Sequence, residues 1–378
     1  MASGLYIHVP FCRQKCAYCD FYSVAATPEA IERYLQLVVA EAELRGQGQT
    51  INTVFWGGGT PSLLSPRQIS TVLDRVSRYF CVAQDAEITM EANPETLEQQ
   101  GLVAYRQAGI NRLSLGVQSL EPGLLPLLGR RHTAEQAQAA VSWAQAAGFS
   151  SLSCDLIYGI PGQTLASWQH DVQTLAACGV PHLSLYCLEV YEATPLGRAV
   201  AGGRVPRPDD DLSADMYDWA RAYLPEQGLP QYEISNFARP GWECKHNINY
   251  WQNGEYLGLG PAACSYWQGV RDCNVRDLAA YEQQISCGRR PIGSSECLDE
   301  RGAAAETVIL GLRLNAGVDG IAFAQRFGYT LETAFGDVIE ELLHKGWLVR
   351  TSRGYALAKK MQPIANSVFC SFLSDSNT

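Results

Sequence analysis

Along the first half of the chain, short runs of aliphatic and β-branched residues recur at intervals that leave room for one helix between each run and the next. They fall at 5–9, 53–56, 87–91, 112–116, 151–157 and 182–188. Strands alternating with helical stretches predict a parallel sheet with helices packed outside it. The helices announce their starts. Thr27 followed by Pro28 is an N-cap with proline at the first helical position, and Gly46 closes that helix; Ser65-Pro66 repeats the opening, and Thr133 with Gln136 forms a capping box. Six such units predict an α/β fold built on a partial (β/α)6, TIM-like barrel, whose functional groups gather on the loops after the carboxyl ends of the strands.

Beyond residue 200 the pattern changes. The segment 202–211, GGRVPRPDDD, reads as a connector. From Glu306 a helix runs through Leu312, followed by helical patterns at 323–327 and 331–345 and a strand pair around 347–349 and 355–357, turned by 352–354. Helices followed by a small hairpin predict a C-terminal α+β, winged-helix-like region. The expected division is a barrel core over 1–200, a connector region over 201–300 and a small domain over 301–378.

With 47% hydrophobic and 18% charged residues in 378, the chain has the composition of a folded globular protein. The net charge of −10 and the lack of a basic stripe argue against a nucleic-acid partner, so packing or a lid role is expected of the winged-helix-like region. The first ten residues show no secretion leader, and no apolar run is long enough to span a bilayer. Thirteen cysteines, an odd number, fit a reducing cytoplasm better than a secreted disulfide framework. Cys81, Cys154, Cys178 and Cys187 sit among apolar or small neighbours and read as core residues; Cys244, Cys264, Cys273, Cys287, Cys297 and Cys370 have no metal-like spacing.

Cys12, Cys16 and Cys19 are different. Their C-x3-C-x2-C spacing, directly after the first strand, suits three corners of an iron–sulfur cube, leaving the fourth iron open to a small chelating molecule. Buried small hydrophobes, a zinc site completed by His8, and disulfides are the alternatives. Other polar groups fall at the same rim: the glycine-rich 57–61 after the second strand, Glu91 at the end of the third, Gln118 beyond the fourth and Asp155 within the fifth. Taken singly, each has a structural reading. The glycines can make a tight turn, and Glu91 can pair with Arg112.

The cysteine motif, with Tyr18 before Cys19, resembles the signature of the radical S-adenosylmethionine (SAM) superfamily. That resemblance implies a [4Fe–4S] cluster on Cys12, Cys16 and Cys19, SAM at the open iron, and an electron donor such as a ferredoxin or flavodoxin. It also implies that Gly58, Gly59 and Thr60 meet the amino group of SAM. Glu91, Gln118, Arg130 and Asp155, with Tyr6 and Tyr18, are similar to the SAM-contacting positions of one branch, the oxygen-independent coproporphyrinogen III oxidase group; a guanidinium such as that of Arg130 suits a carboxylate.

Two features choose within that branch. The oxidases carry a further cysteine where this chain has Phe21, and a longer segment ahead of the cluster loop. The run HNINYW over 246–251 resembles the H-N-x-x-Y-W motif of the heme chaperones of the branch. That likeness implies heme as cargo, heme-acceptor proteins as partners, and His246 as a heme ligand, with His8 and His132 as further candidates. The rival expectation is an enzyme that oxidatively decarboxylates coproporphyrinogen III.

Overall fold

The computed structural model describes residues 3–373. Its centre is an eleven-stranded sheet: β1 (Gly4–Val9), β2 (Thr50–Gly58), β3 (Cys81–Ala92), β4 (Arg112–Gln118), β5 (Ser151–Tyr158), β6 (His182–Cys187), β7 (Asn236–Ala238), β8 (Tyr256–Leu259), β9 (Cys264–Trp267), β10 (Val270–Asn274) and β11 (Ile292–Cys297). The spatial order is β11-β10-β9-β8-β1-β2-β3-β4-β5-β6-β7. Strands β8-β1-β2-β3-β4-β5-β6 run parallel; β7 and the β9–β11 extension pair antiparallel.

The six expected strands are β1 to β6, and the expected fold class, a partial barrel with a smaller C-terminal α+β region, is the one observed. One face of these strands packs the apolar core: Leu5, Ile7, Val54, Trp56, Met90, Leu113, Leu115, Leu152 and Leu183 are all fully buried. The opposite face carries buried polar side chains, Thr53, Thr89, Arg112, Ser153 and Ser184 among them, so apolar and polar residues alternate along the strands. The capping boxes at Ser65/Gln68 and Thr133/Gln136 form, as does the Thr27 cap. β3 starts six residues earlier than expected, its short apolar lead Cys81-Val82-Ala83 being separated from the main run by exposed Gln84 and Asp85.

The β8–β11 extension was not legible as strands. β11 is exposed along its whole length, so no alternation marks it. Here Cys264 and Cys273, to which the sequence assigns no role, lie opposite one another on β9 and β10 and form a disulfide. The expected core placement holds for Cys154; Cys178 is half-buried, and Cys81 and Cys187 are exposed. The extension is tied to the barrel by fully buried Glu41, which accepts hydrogen bonds from Arg45, Asn274, Tyr281 and the Gly260 N–H.

The C-terminal region packs helices Glu300–Gly311, Gly320–Phe327 and Leu331–His344 against three short strands, Val318–Asp319, Leu348–Arg350 and Gly354–Leu357. Residues following the hairpin fold back onto it: Met361, Val368, Phe369 and Phe372 are buried in the same core. The rest of the 359–378 tail, residues 374–378, lies outside the described residues. Arg326 anchors the region to the barrel side through the Asn253 carbonyl and the Tyr266 hydroxyl, and Arg271 through Glu306.

Candidate functional site

After Val9 the chain leaves the sheet, and Phe11–Cys12 pairs in parallel with Val24–Ala25, which closes the loop that carries Cys16 and Cys19. The loop is pinned from two sides: Ala17 donates its N–H to the Leu128 carbonyl at 2.9 Å, and its carbonyl accepts from Leu196 at 2.8 Å. Gly129, at φ +73°, is required there, because a Cβ would stand 2.8 Å from the Ala17 nitrogen. This junction delivers the neighbouring Arg130 to the loop, where one guanidinium nitrogen lies 3.4 Å from the Cys16 sulfur. Thr60 places its hydroxyl 3.5 Å from the Cys12 sulfur.

All three loop thiols are free and half-buried. Burial pushes the Cys19 thiol up, the Phe21 N–H works against this, and charge on Cys16 and Cys12 adds to the rise. Clustered soft donors that repel one another when ionised, with a guanidinium beside them, suit a cationic iron–sulfur core. Among the described residues no three His, Cys, Asp or Glu side chains converge as ligands of a single metal ion do. His8, which would complete a zinc site, bonds Tyr6 Oη through Nδ1 at 3.0 Å and the Tyr22 carbonyl through Nε2 at 3.1 Å.

The glycine run has a cause in the chain itself. A Cβ on Gly57 would stand 2.9 Å from the Tyr6 ring, one on Gly58 (φ +106°) 2.5 Å from the His8 ring, and one on Gly59 2.6 Å from the Phe11 carbonyl oxygen. The run therefore lets β2 close against β1 and the cluster loop. Its backbone also faces the rim: the Gly58 N–H donates to Glu91 Oε2 at 3.2 Å.

Glu91 is not paired with Arg112, which instead donates to Ser151 Oγ and the Trp242 carbonyl. Burial, and then the negative charge of Asp155, push Glu91 up to about 7. Burial pushes Asp155 up to about 6 against the pull of the Ser184 and Ser114 hydroxyls and of Arg112 and Arg130. Arg130 donates to Asn93 Oδ1 at 2.8 Å and to the Gly116 carbonyl, and its Nε is buried without a partner. Burial also raises the Tyr18 phenol beside it. Gln118 ends β4 in the left-handed region, at φ +68°, a conformation that costs a non-glycine residue about 1 kcal/mol.

One rim thus combines two desolvated carboxylates, a guanidinium with an unmet N–H and backbone donors. It is complementary to a ligand that carries both positive charge and a carboxylate. Tyr6, Tyr18, Gly58, Gly59, Thr60, Glu91, Arg130 and Asp155 are linked to one another or to the cysteine loop by these contacts; Gln118 sits at the adjoining strand end. Sequence reasoning missed Asn93, which joins Arg130 to Thr60 Oγ1 at 3.3 Å, and Ser114, which bonds Asp155. Neither lies in a motif, so no local signal marked them.

His246 sits on the helix Lys245–Trp251, whose first N–H groups donate to the Glu87 carboxylate. It is 1% exposed, bonded through Nδ1 to Thr53 Oγ1 at 2.8 Å and through Nε2 to Tyr250 Oη at 2.9 Å, and stacked on Phe55 at 5.1 Å. Burial lowers its pKa to about 3, so the ring is neutral. Both ring nitrogens of His246, the residue expected to ligate heme, are hydrogen-bonded to hydroxyls here. His132 is likewise committed, to Glu95 and the Val117 carbonyl.

Beside this helix opens a cleft of about 990 Å³. Its lining is rich in aromatic side chains, Tyr6, Phe21, Tyr22, Tyr250, Trp251 and Tyr256; Arg271, Arg276 and the Cys264–Cys273 disulfide stand among the other lining groups. Tyr6 belongs to both the rim and the cleft, and Phe21 follows the last cluster-loop cysteine by two residues. No helix among the described residues is long and apolar enough to cross a membrane.

Residues 6–175 match the radical SAM superfamily, and residues 298–360 match the HemN C-terminal domain. The chain is 34% identical to the heme chaperone HemW of Bacillus subtilis (strain 168) over 98% of its own length and 99% of that protein's. It is 42% identical to the heme chaperone HemW of Escherichia coli (strain K12) over 69% of each chain. Among solved structures it is similar to the coproporphyrinogen III oxidase HemN of Escherichia coli, a radical SAM enzyme, with a TM-score of 0.85 and 25% identity, covering 98% of this chain and 90% of that one.

Proposed function

Because this chain belongs to the HemW family of the radical SAM superfamily, we propose that it is a heme chaperone, which binds heme and passes it to acceptor proteins. Cys12, Cys16 and Cys19 would hold a [4Fe–4S] cluster. Gly58, Gly59, Thr60 and Glu91 would face the amino and ribose groups of SAM, Arg130 its carboxylate, and Asp155, Gln118, Tyr6 and Tyr18 would complete the pocket. When bound, cluster and SAM supply one-electron chemistry, for which a ferredoxin or flavodoxin is the natural class of donor. The chain's part is to orient SAM between fixed charges, and to relieve two desolvated carboxylates with its positive charge. A reducing, cytoplasmic setting fits the eleven cysteines that remain thiols, the three of the loop among them, with the Cys264–Cys273 disulfide as the exception.

The observation that carries the reading is the shared wall: an aromatic-lined cleft of about 990 Å³, roomy enough for a flat macrocycle, meets the rim at Tyr6 and the cluster loop at Phe21. The three-part division into barrel core, connector region and C-terminal region follows the same logic, the later two contributing cleft walls. The fold is shared with an oxidase, so the test must separate the two activities. Anaerobically reconstituted protein is titrated with hemin, then incubated with SAM, reductant and coproporphyrinogen III. Saturable hemin binding without protoporphyrinogen formation is expected; protoporphyrinogen formation would replace the chaperone reading with the oxidase one.

A further inference from the structure

We propose that Tyr250 supplies the axial ligand to heme iron in this cleft, with His246 as the positioning residue that holds its phenol. The proposal rests on the heme-chaperone reading and names the ligand within it. Most groups on the cleft wall that could bind iron are already engaged. The one histidine on its wall, His8, has both ring nitrogens engaged. The two wall sulfurs, Cys264 and Cys273, are bonded to each other and offer no thiolate. Glu306 is paired with Arg271, Asp277 caps the helix Leu278–Ser286, and Tyr22 Oη accepts from the Leu278 N–H. Of the remaining oxygen donors, Asp20, Tyr6, Tyr250 and Tyr256, Tyr250 is the one whose oxygen is held by His246, and phenolate is an established ligand type for ferric heme.

Tyr250 is half-buried, lines the cleft, and touches His246 through its hydroxyl at 2.9 Å. The pair is spaced i,i+4 on one helix, so the backbone itself holds the phenol against the imidazole. The far ring nitrogen contacts Thr53 Oγ1, a hydroxyl able either to accept or to donate. His246 can therefore turn its Nε2 lone pair toward the phenol, or, after a tautomer change compensated by Thr53, an N–H toward a phenolate. It serves both states without acquiring a charge in its buried setting. Ligation balances as an exchange. The hydroxide on ferric heme takes the phenolic proton and leaves as water, an iron–oxygen bond to Tyr250 forms, and no electron moves.

Two further features suit the same pose. Tyr256 stands edge-on to Tyr250 with centroids 4.6 Å apart, so the liganding ring is braced from the side. Arg276 is exposed on the wall and makes no ion pair among the described residues, leaving its guanidinium for a propionate. Tyr6 is the other phenol held by a histidine here, but it stands on β1 beside Glu91, at the rim assigned to SAM.

Hemin is titrated into the cluster-loaded wild type, Tyr250→Phe, Tyr6→Phe, His246→Ala and His246→Gln, and each complex is read by resonance Raman with and without ring-deuterated tyrosine. Wild type is expected to show phenolate bands that shift with the label. Tyr250→Phe should lose them and bind hemin at least tenfold more weakly, with circular dichroism and iron content unchanged. His246→Ala should keep the bands but weaken binding, and His246→Gln should recover part of it. Label-sensitive bands persisting in Tyr250→Phe, or lost only in Tyr6→Phe, overturn the assignment while leaving heme carriage intact. A wild type that binds no hemin overturns both.

Discussion

Arg130 reaches the Cys16 sulfur with one guanidinium nitrogen, at 3.4 Å, and Asn93 and the Gly116 carbonyl with the other. A single side chain thus couples the cluster loop to the polar rim. The coupling holds because Gly129 lets the backbone of the loop come close enough to carry Arg130 there. Lysine has no fork, so Arg130→Lys is expected to keep full iron content yet bind SAM roughly ten- to a hundredfold more weakly, the scale of a lost charge-assisted pair. Calorimetry of anaerobically reconstituted protein measures it; unchanged affinity would remove Arg130 from the site.

The raised carboxylates predict a pH dependence with a definite sign. Glu91 titrates near 7 and Asp155 near 6, both raised by burial. Above these values both are anionic and attract the positive charges of SAM; as pH falls through 7 and then 6 they protonate and the attraction fades. SAM affinity should therefore drop between pH 8 and pH 5.5, and Glu91→Gln should flatten the upper part of that profile. A flat wild-type profile would show that neither carboxylate meets the ligand.

Gly59 and Gly101 predict opposite outcomes for the same substitution. A methyl on Gly59 meets the Phe11 carbonyl at 2.6 Å and the Val9 carbonyl at 2.8 Å, backbone atoms that cannot step aside. Gly59→Ala should destabilise the protein by about 2–3 kcal/mol and disturb the cluster loop with it. Gly101, within the helix Gln99–Gln107, has nothing within 4 Å, and Gly101→Ala should stabilise by about 0.5–1 kcal/mol. Thermal unfolding of the two variants, with iron content as a second readout for Gly59→Ala, decides both.

Replacing Cys12, Cys16 or Cys19 singly by alanine should strip the reconstituted protein of its cluster, whereas Cys81→Ala, which changes an exposed thiol remote from the loop in sequence, should not. Full iron content in all three loop variants would end the cluster assignment.

Removing the Glu41 carboxylate tests whether the extension shapes the cleft. Glu41→Ala leaves the Arg45 guanidinium buried without its anion and should cost about 3–5 kcal/mol. Because Asn274, a cleft-lining residue, bonds the same carboxylate, hemin affinity should fall as well. Unaltered hemin binding in a folded Glu41→Ala would place heme elsewhere.

What the sequence by itself determined was everything set by short spacing. The apolar runs of β1 to β6, the caps at Thr27, Ser65 and Thr133, the C-x3-C-x2-C loop and the order of polar groups along the rim all depend on residues a few positions apart, where strand and helix periods act directly. Tertiary structure decided what depends on chain segments far apart in sequence. The packing of Thr53, Phe55 and Gly4 around His246 engages its ring, and Asn93 becomes a bridge only once Arg130 and Thr60 stand on either side of it. Burial, likewise a property of the assembled barrel, turns Glu91 and Asp155 from ordinary carboxylates into groups that titrate near neutrality, because desolvation acts only after the walls have closed.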